Sequence, residues 1–261
     1  MNQSERRRFL IEALLAERPD GRDFKVPADA EGQRGLLRAL MNVRAPEPIA
    51  SEVLREQDTY LEQRLIERGG ATDVETLPYH GRIAVWRGDI TLLAADAIVN
   101  AANSQMLGCF VPGHSCIDNA IHTYAGMQLR LACSELMNEQ GHEEPTGRVK
   151  VTSAFNLPSH YVFHTVGPVI PSHSPGLREK LLLRSCYESS LAEATRAGLS
   201  TLAFCCISTG VFGYPQKDAA RVAIDAVRHH LSQNDPNLKV VFNVFLASDE
   251  AIYRDLLAAD R

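Results

Sequence analysis

Two kinds of hydrophobic spacing divide this chain near residue 76. Before it, apolar residues recur every three or four positions: Phe9, Leu10, Ala13 and Leu14, then Leu36, Leu37 and Leu40, then Val53, Leu54, Leu61 and Leu65. That spacing lines one face of a helix. It predicts a helix near the start, a second over 31–43 and a third over 49–67. Pro46 and Pro48 separate the last two, because proline cannot continue a helix and restricts the residue before it. Gly69-Gly70 ends the third. No residue set in 1–75 suggests chemistry. The plain reading is a helical extension packed on a main domain over 76–261.

From Leu77-Pro78 onward, short apolar runs alternate with longer amphipathic ones. Strands are predicted at 83–86, 97–100, 150–153, 161–166, 201–207 and 240–246, and helices at 116–139, 177–197, 217–232 and 249–259. Gly198 is placed to stop the second of these helices. Such alternation predicts an α/β sandwich whose largely parallel sheet is covered on both faces. Ligands of these sheets bind beyond the carboxyl ends of the strands. The two loops richest in unusual residues, after Asn100 and after Ile207, fall there.

Composition narrows the class. The net charge is −5 and no basic run exceeds Arg6-Arg7-Arg8, so the electropositive footprint of a nucleic-acid binder is missing. A small anion held by backbone N–H groups remains open. No apolar run approaches the roughly 20 residues of a membrane helix. The opening MNQSERRRFLIEALLAE is interrupted by Glu12 and Glu17, an amphipathic helix rather than a signal peptide. The expectation is therefore a cytoplasmic protein. Six cysteines invite a disulfide reading, but a chain of this size does not need such staples. Cys205 and Cys206 lie in an apolar strand, and only Cys109 and Cys116 have a histidine close by.

That pair forms a Cys-x4-His-x-Cys set with His114. Thiolate and imidazole suit zinc, and three protein ligands without a fourth match the arrangement that leaves one position for water or substrate. The other reading is two buried thiols and a loop histidine. Asp118 follows closely. With Ser115 it resembles a capping pair at a helix start; it could equally activate water beside the metal or grip a sugar hydroxyl. Asn100 and Asn103, where a strand ends, suit a turn or recognition of sugar hydroxyls. Asp89, before Ile90 and Thr91, can cap a turn or accept from a base amine. Ser208, Thr209, Gly210, Val211 and Phe212 run from a strand towards a helix, where glycines permit close approach and free N–H groups can hold an anion. A tight turn is the alternative. His122 and His164 read as core histidines. No G-x-S-x-G elbow is present, and two thiols beside one histidine favour a metal over a cysteine nucleophile.

Five stretches then stand together: GDIT (88–91), AIVNAAN (97–103), DNAIHTYAG (118–126), VFHTVGP (162–168) and ISTGVFGYP (207–215). In this order they resemble the macrodomain family over the whole second region. The resemblance implies a three-layer α/β/α sandwich with a mixed, largely parallel central sheet that binds ADP-ribose; one branch removes mono-ADP-ribose from proteins. Most relatives carry a glycine run before the catalytic aspartate, whereas this chain has Cys109-Phe110-Val111-Pro112-Gly113-His114-Ser115-Cys116. With the helical extension, that resembles the zinc-dependent microbial branch, often encoded beside a sirtuin-like ADP-ribosyltransferase and a lipoyl-carrier protein like the glycine-cleavage H protein. Carried over, the resemblance implies that Asp89, with Ile90 beside it, receives the adenine amino group. Asn103 holds the distal ribose while Asn100 supports the loop. Residues Ser208 to Phe212 cradle the pyrophosphate, Phe212 packs on the ribose, and Cys109, His114 and Cys116 bind Zn2+. Asp118 aligns with the water-activating aspartate. The implied activity is hydrolysis of mono-ADP-ribose from acidic side chains of a lipoyl-carrier-like acceptor. An ADP-ribose reader with a structural metal, or a deacetylase of O-acetyl-ADP-ribose, are the alternatives.

Overall fold

The computed structural model describes residues 1–233 and 237–259. Three helices come first: α1 (Gln3–Ala16), α2 (Ala30–Val43) and α3 (Ser51–Glu67). Asn2 starts α1 by accepting from Ser4 and Glu5 N–H while Glu5 answers the Asn2 N–H, a reciprocal cap that satisfies orphan donors on both residues. Asp29 caps α2 at Gly32. The apolar stripes converge on a small core of Leu10, Ile11, Leu14, Leu37, Leu40, Tyr60 and Leu61. Met127, from the second region, closes that core. The extension is thus seamed to the body by shared burial. A short strand β1 (Thr72–Asp73), not anticipated from the pattern, pairs in parallel with β3 (Leu93–Ala94).

The main sheet has the order β2-β8-β7-β4-β6-β5, with β2 (Ile83–Arg87), β4 (Ala97–Ala102), β5 (Val149–Ser153), β6 (Tyr161–Val166), β7 (Thr201–Phe204) and β8 (Lys239–Val244). Every pairing is parallel except β5 on β6. This is the mixed, mostly parallel sheet expected. Its inner strands β4, β6, β7 and β8 are almost wholly buried, as strands covered on both faces must be, while the edge strand β5 is mostly half-buried. Val99 pairs with Phe163, and Phe204 with Phe242. Tyr187 of α6 (Leu177–Arg196) lies 4.9 Å from the Phe204 ring, and Tyr253 of α8 (Ala247–Ala259) lies 4.9 Å from that of Phe242. α7 (Gln216–Gln233) packs between α6 and α8. The opposite face presents Asn100 and His164, paired in register, towards α4 (Ile117–Ala125) and α5 (Met127–Gln140). The extension packs on α4 through α2.

Two boundaries differ from the pattern for physical reasons. The helix expected over 116–139 is two helices, broken at Gly126 with φ +96°. A side chain at Gly126 would come within 2.7 Å of the Gln57 amide nitrogen, and Gln57 of α3 accepts the freed Met127 N–H at 2.8 Å. The extension therefore satisfies the backbone at the break. The strand expected over 201–207 leaves the sheet after Phe204, although Cys205 and Ile207 stay buried. Apolar character there marks burial of a loop's root and not a longer ladder. Gly198, at φ +67°, does follow the end of α6.

Candidate active site

The segment after β4 crosses from the sheet to α4 and carries most of the chemistry. Asn103 closes the first turn, accepting the Gln105 N–H at 3.0 Å and donating to Gly108 O at 3.3 Å. Gly108, at φ +80°, lies against the His122 imidazole; a Cβ there would approach the ring to 2.8 Å. Only glycine lets the chain pass that close. Cys109 follows, then an exposed bend through Phe110 to Gly113, then His114 and Cys116. Cys109 Sγ lies 3.7 Å from His114 Nδ1. The ligand atoms of Cys109, His114 and Cys116 all lie within 4.8 Å of one another, and no fourth histidine, cysteine or carboxylate joins that group among the described residues. Tetrahedral zinc with bonds of about 2.3 Å to sulfur and about 2.0 Å to nitrogen would set those atoms roughly 3.6 Å apart. The donor set fits zinc in chemistry, and the Cys109–His114 separation matches that spacing.

The helix start differs from the capping pair expected of Ser115 and Asp118. Cys116 is the N-cap: its sulfur accepts the Asn119 N–H at 3.4 Å. Asp118 instead turns inward and is buried. Its Oδ1 accepts from Asn100 Nδ2 at 2.8 Å, and the His122 ring stands at 3.5 Å. Burial raises the Asp118 carboxyl to about 6, against the Asn100 hydrogen bond and the charge of Arg130, which both lower it. Burial likewise pushes the Cys116 thiol up to about 11. Ligation selects the thiolate, so a dication at the sulfur opposes that shift.

Behind Asp118 lies a buried relay. Asn100 is fully buried, and its amide supports the Asp118 carboxylate from beneath. Its amide also lies 3.2 Å from His164 Nδ1, and His164 Nε2 lies 2.9 Å from Thr152 Oγ1. An amide N–H can only donate, so Nδ1 accepts and Nε2 carries the proton. Burial holds His164 neutral, down to about 3, and pushes Cys133 beside it up to about 12. His122, Cys133 and His164 also cluster, but the hydrogen bonds of His164 already occupy both its nitrogens. The expectation of core histidines describes this geometry. Sequence reasoning missed Arg130, which is buried, donates to the carbonyls of Leu107, Met41 and Arg44, and stacks 4.2 Å from the Phe110 ring. Nothing in the spacing of a lone helical arginine signals that role.

The loop after β7 is built differently. Ser208 adopts φ +65°, and its hydroxyl is buried without a partner. Gly167 makes room for it: a Cβ there would fall 2.1 Å from Ser208 Oγ. Tyr214 N–H returns to Ser208 O and Gly213 N–H to Gly210 O, while Thr209 bonds to Cys206 O through N–H and hydroxyl. The N–H groups of Gly210, Val211 and Phe212 donate to no acceptor among the described residues. Val211 is exposed, Phe212 half-buried, and nothing lies within 4 Å of where a Gly210 side chain would stand. Free backbone donors on a bend are a feature that can receive an anion. Asp89 sits on a third loop as the cap of Ile90–Leu92, accepting from Thr91 N–H and hydroxyl. Its other oxygen pairs with Arg68 at 2.6 Å, and that guanidinium covers the Tyr124 ring at 3.5 Å. Ile90 is buried behind it. Arg68 belongs to the end of α3, so its arrival here was not legible from the pattern.

The comparisons with known proteins give this geometry a lineage. A family model described as Macro domain matches residues 99–223, which span the Asp118 region and the 208–212 loop. A "Protein-ADP-ribose hydrolase" of Treponema medium is 50% identical over 262 residues, covering 99% of this chain and all of that protein. This chain belongs to the macro domain family. A solved macrodomain of Oceanobacillus iheyensis, in a mutant form with ADPR, superposes with a TM-score of 0.63 at 39% identity, over 68% of this chain and 92% of that one. A Fusarium oxysporum f. sp. cubense protein called "Probable bifunctional ADP-ribose hydrolase/ADP-ribosyltransferase" is 39% identical over 85% of this chain and 40% of its own length. The macrodomain sheet and its helices account for the body. No helix among the described residues is long and apolar enough to cross a membrane.

Proposed function

We propose that this macrodomain is a zinc-dependent hydrolase that removes mono-ADP-ribose from acidic side chains of an acceptor protein. The full-length relative at 50% identity carries the hydrolase name, and this chain is a hydrolase of protein-linked ADP-ribose. The observation that carries the finer reading is the convergence of Cys109, His114 and Cys116 at the start of α4, two residues from buried Asp118.

The proposal gives each part of the ligand a place. The free amides of Gly210, Val211 and Phe212, with Ser208 and Thr209 shaping the bend, receive the pyrophosphate. Asp89 and Ile90 receive the adenine, with Arg68 sharing the carboxylate. Phe212 packs on the distal ribose, and Asn103 holds the turn that aims the cysteine loop at it. Binding the remote nucleotide fixes the reacting bond in place, which lowers the entropic part of the barrier. A zinc ion held by Cys109, His114 and Cys116 would supply Lewis acidity towards a ribose hydroxyl or water. Asp118 orients or deprotonates the attacking water, and Asn100 keeps its carboxylate in register. The partners that go with this reading are a lipoyl-carrier-like acceptor and a sirtuin-like transferase in the cytoplasm. The pairing of hydrolase and transferase in the name of the Fusarium relative supports the second.

Incubation of a mono-ADP-ribosylated acceptor with the purified chain tests this. Release of free ADP-ribose that stops on chelation and returns with zinc supports the proposal. Tight ADP-ribose binding with no release makes it a reader. Turnover of O-acetyl-ADP-ribose alone makes it a deacetylase.

A further inference from the structure

The 109–116 loop has no regular secondary structure, yet four of its backbone groups are held by buried or half-buried side chains from outside it. Arg38 of α2 donates to His114 O at 2.9 Å and to Asn119 Oδ1 at 2.8 Å. Asn119, fully buried on α4, passes its own amide to Val111 O at 3.0 Å and Cys109 O at 3.4 Å. Asn42, also on α2 and buried, accepts the Gly113 N–H at 3.0 Å. Asn42 meanwhile donates to Thr123 Oγ1 at 2.9 Å, so it is anchored on α4. Two of the gripped carbonyls belong to the ligating residues Cys109 and His114.

We infer that α2 of the helical extension is a working part of the metal loop, with Arg38 and Asn42 as positioning residues that hold Cys109, His114 and Cys116 in a three-ligand shape. This rests on the zinc reading above. An eight-residue loop free to wander would have to be ordered by the cation itself, at a cost in affinity. A loop already pinned at Cys109 O, Val111 O, Gly113 N and His114 O meets the cation in shape. Partners one step behind a metal ligand commonly change affinity about 10- to 100-fold when removed. The geometry also gives the extension a purpose that its bland sequence conceals. It holds no ligand atom, and it sets the shape of the segment that does.

The test uses the full chain and zinc alone. Zinc affinity is measured by competition with a chromophoric chelator, and loop order by hydrogen exchange at the Gly113 amide. Arg38→Ala and Asn42→Ala are expected to weaken zinc binding about 10- to 100-fold and to speed Gly113 exchange at least as much. Thr123→Val is the control: it breaks the Asn42–Thr123 bond between the same two helices, and the Thr123 hydroxyl's bond to Asn119 O within α4, but leaves the Gly113 acceptor and the Asn119 amide, and should keep affinity within about threefold. Wild-type zinc affinity in both α2 variants overturns the inference. So does a Thr123→Val loss as large as that of Asn42→Ala, because the effect would then be general loosening. If the wild-type chain takes up no zinc, the metal reading fails by itself. Gly113 exchange then decides the positioning role: faster in the two α2 variants but not in Thr123→Val supports it, and no change overturns it.

Discussion

The two loops that flank the proposed substrate are built on opposite principles. The 109–116 loop offers side chains, and most of what shapes it comes from elsewhere: Arg38, Asn42 and Asn119 hold its backbone and Arg130 stacks on Phe110. The 208–212 loop offers backbone, and its shape comes mostly from its own hydrogen bonds and from the absence of a side chain at Gly167. On the zinc proposal, a loop that must bring three donors to one cation gains from outside bracing, because its backbone has no regular structure to hold it. A site that presents N–H groups needs only a bend and room.

The difference can be broken at either end. The largest effect is expected from His114→Ala, which removes one of three ligands. Zinc content and turnover should fall together by more than about 100-fold, while ADP-ribose affinity, set by the other loop, stays within a few-fold. Calorimetry and metal analysis on the same sample check this; retained turnover would separate the metal from the chemistry.

Acid should act on the bed beneath the cysteine loop. His164 has its pKa lowered by burial to about 3, and His122 is lowered well below its ordinary value by the same cause. A folded pKa below the unfolded one means that the unfolded chain takes up the proton first. Stability from His164 is therefore full above about pH 6.5 and is lost as the pH falls towards 3, on the order of a few kcal/mol. Urea unfolding at about pH 7 and about pH 4.5 measures the fall, and His164→Gln should make it shallower. An unchanged slope in that variant would mean that His164 contributes nothing to it.

Gly167→Ala should act on the backbone loop alone. The new methyl meets Ser208 Oγ at 2.1 Å, and overpacking of this kind costs about 1–3 kcal/mol. The expected result is roughly tenfold weaker ADP-ribose binding with zinc content intact. Loss of zinc in this variant would show that the two loops are not separable. The smallest effect belongs to Gly210→Ala, whose side chain would enter open space at a φ that alanine accepts. Folding stability should change by less than about 0.5 kcal/mol, so any loss of ligand affinity reports crowding at the anion site itself.

Much of the body was legible because burial imposes a period. The strands at β4, β6 and β8 and the helices α6 and α7 followed from apolar spacing, and the resemblance supplied the sandwich. Gly126 was not read as a helix break because its reason, close packing on Gln57, comes from 69 positions away. The Cys-His-Cys set was legible because its three residues sit close in sequence. The buried station of Asp118 was not, since a carboxylate at the start of a helix usually serves as a cap. The station of Asn100 was hidden too: a strand-end asparagine suits a turn, and only the fold shows it lying under Asp118. Arg38, Asn42 and Arg68 gave no signal at all, because each is an ordinary polar residue on a helix until the fold brings it to a loop.

The central claim is that three ligands of this chain hold one zinc ion and leave a coordination position facing the nucleotide sugar. X-ray absorption at the zinc edge on the purified chain tests it directly. The account predicts one zinc per chain, with two sulfur neighbours at about 2.3 Å and two lighter neighbours at about 2.0 Å, one of which changes when ADP-ribose is added. A sample without zinc, or a shell closed by a further protein ligand and blind to ADP-ribose, would contradict it.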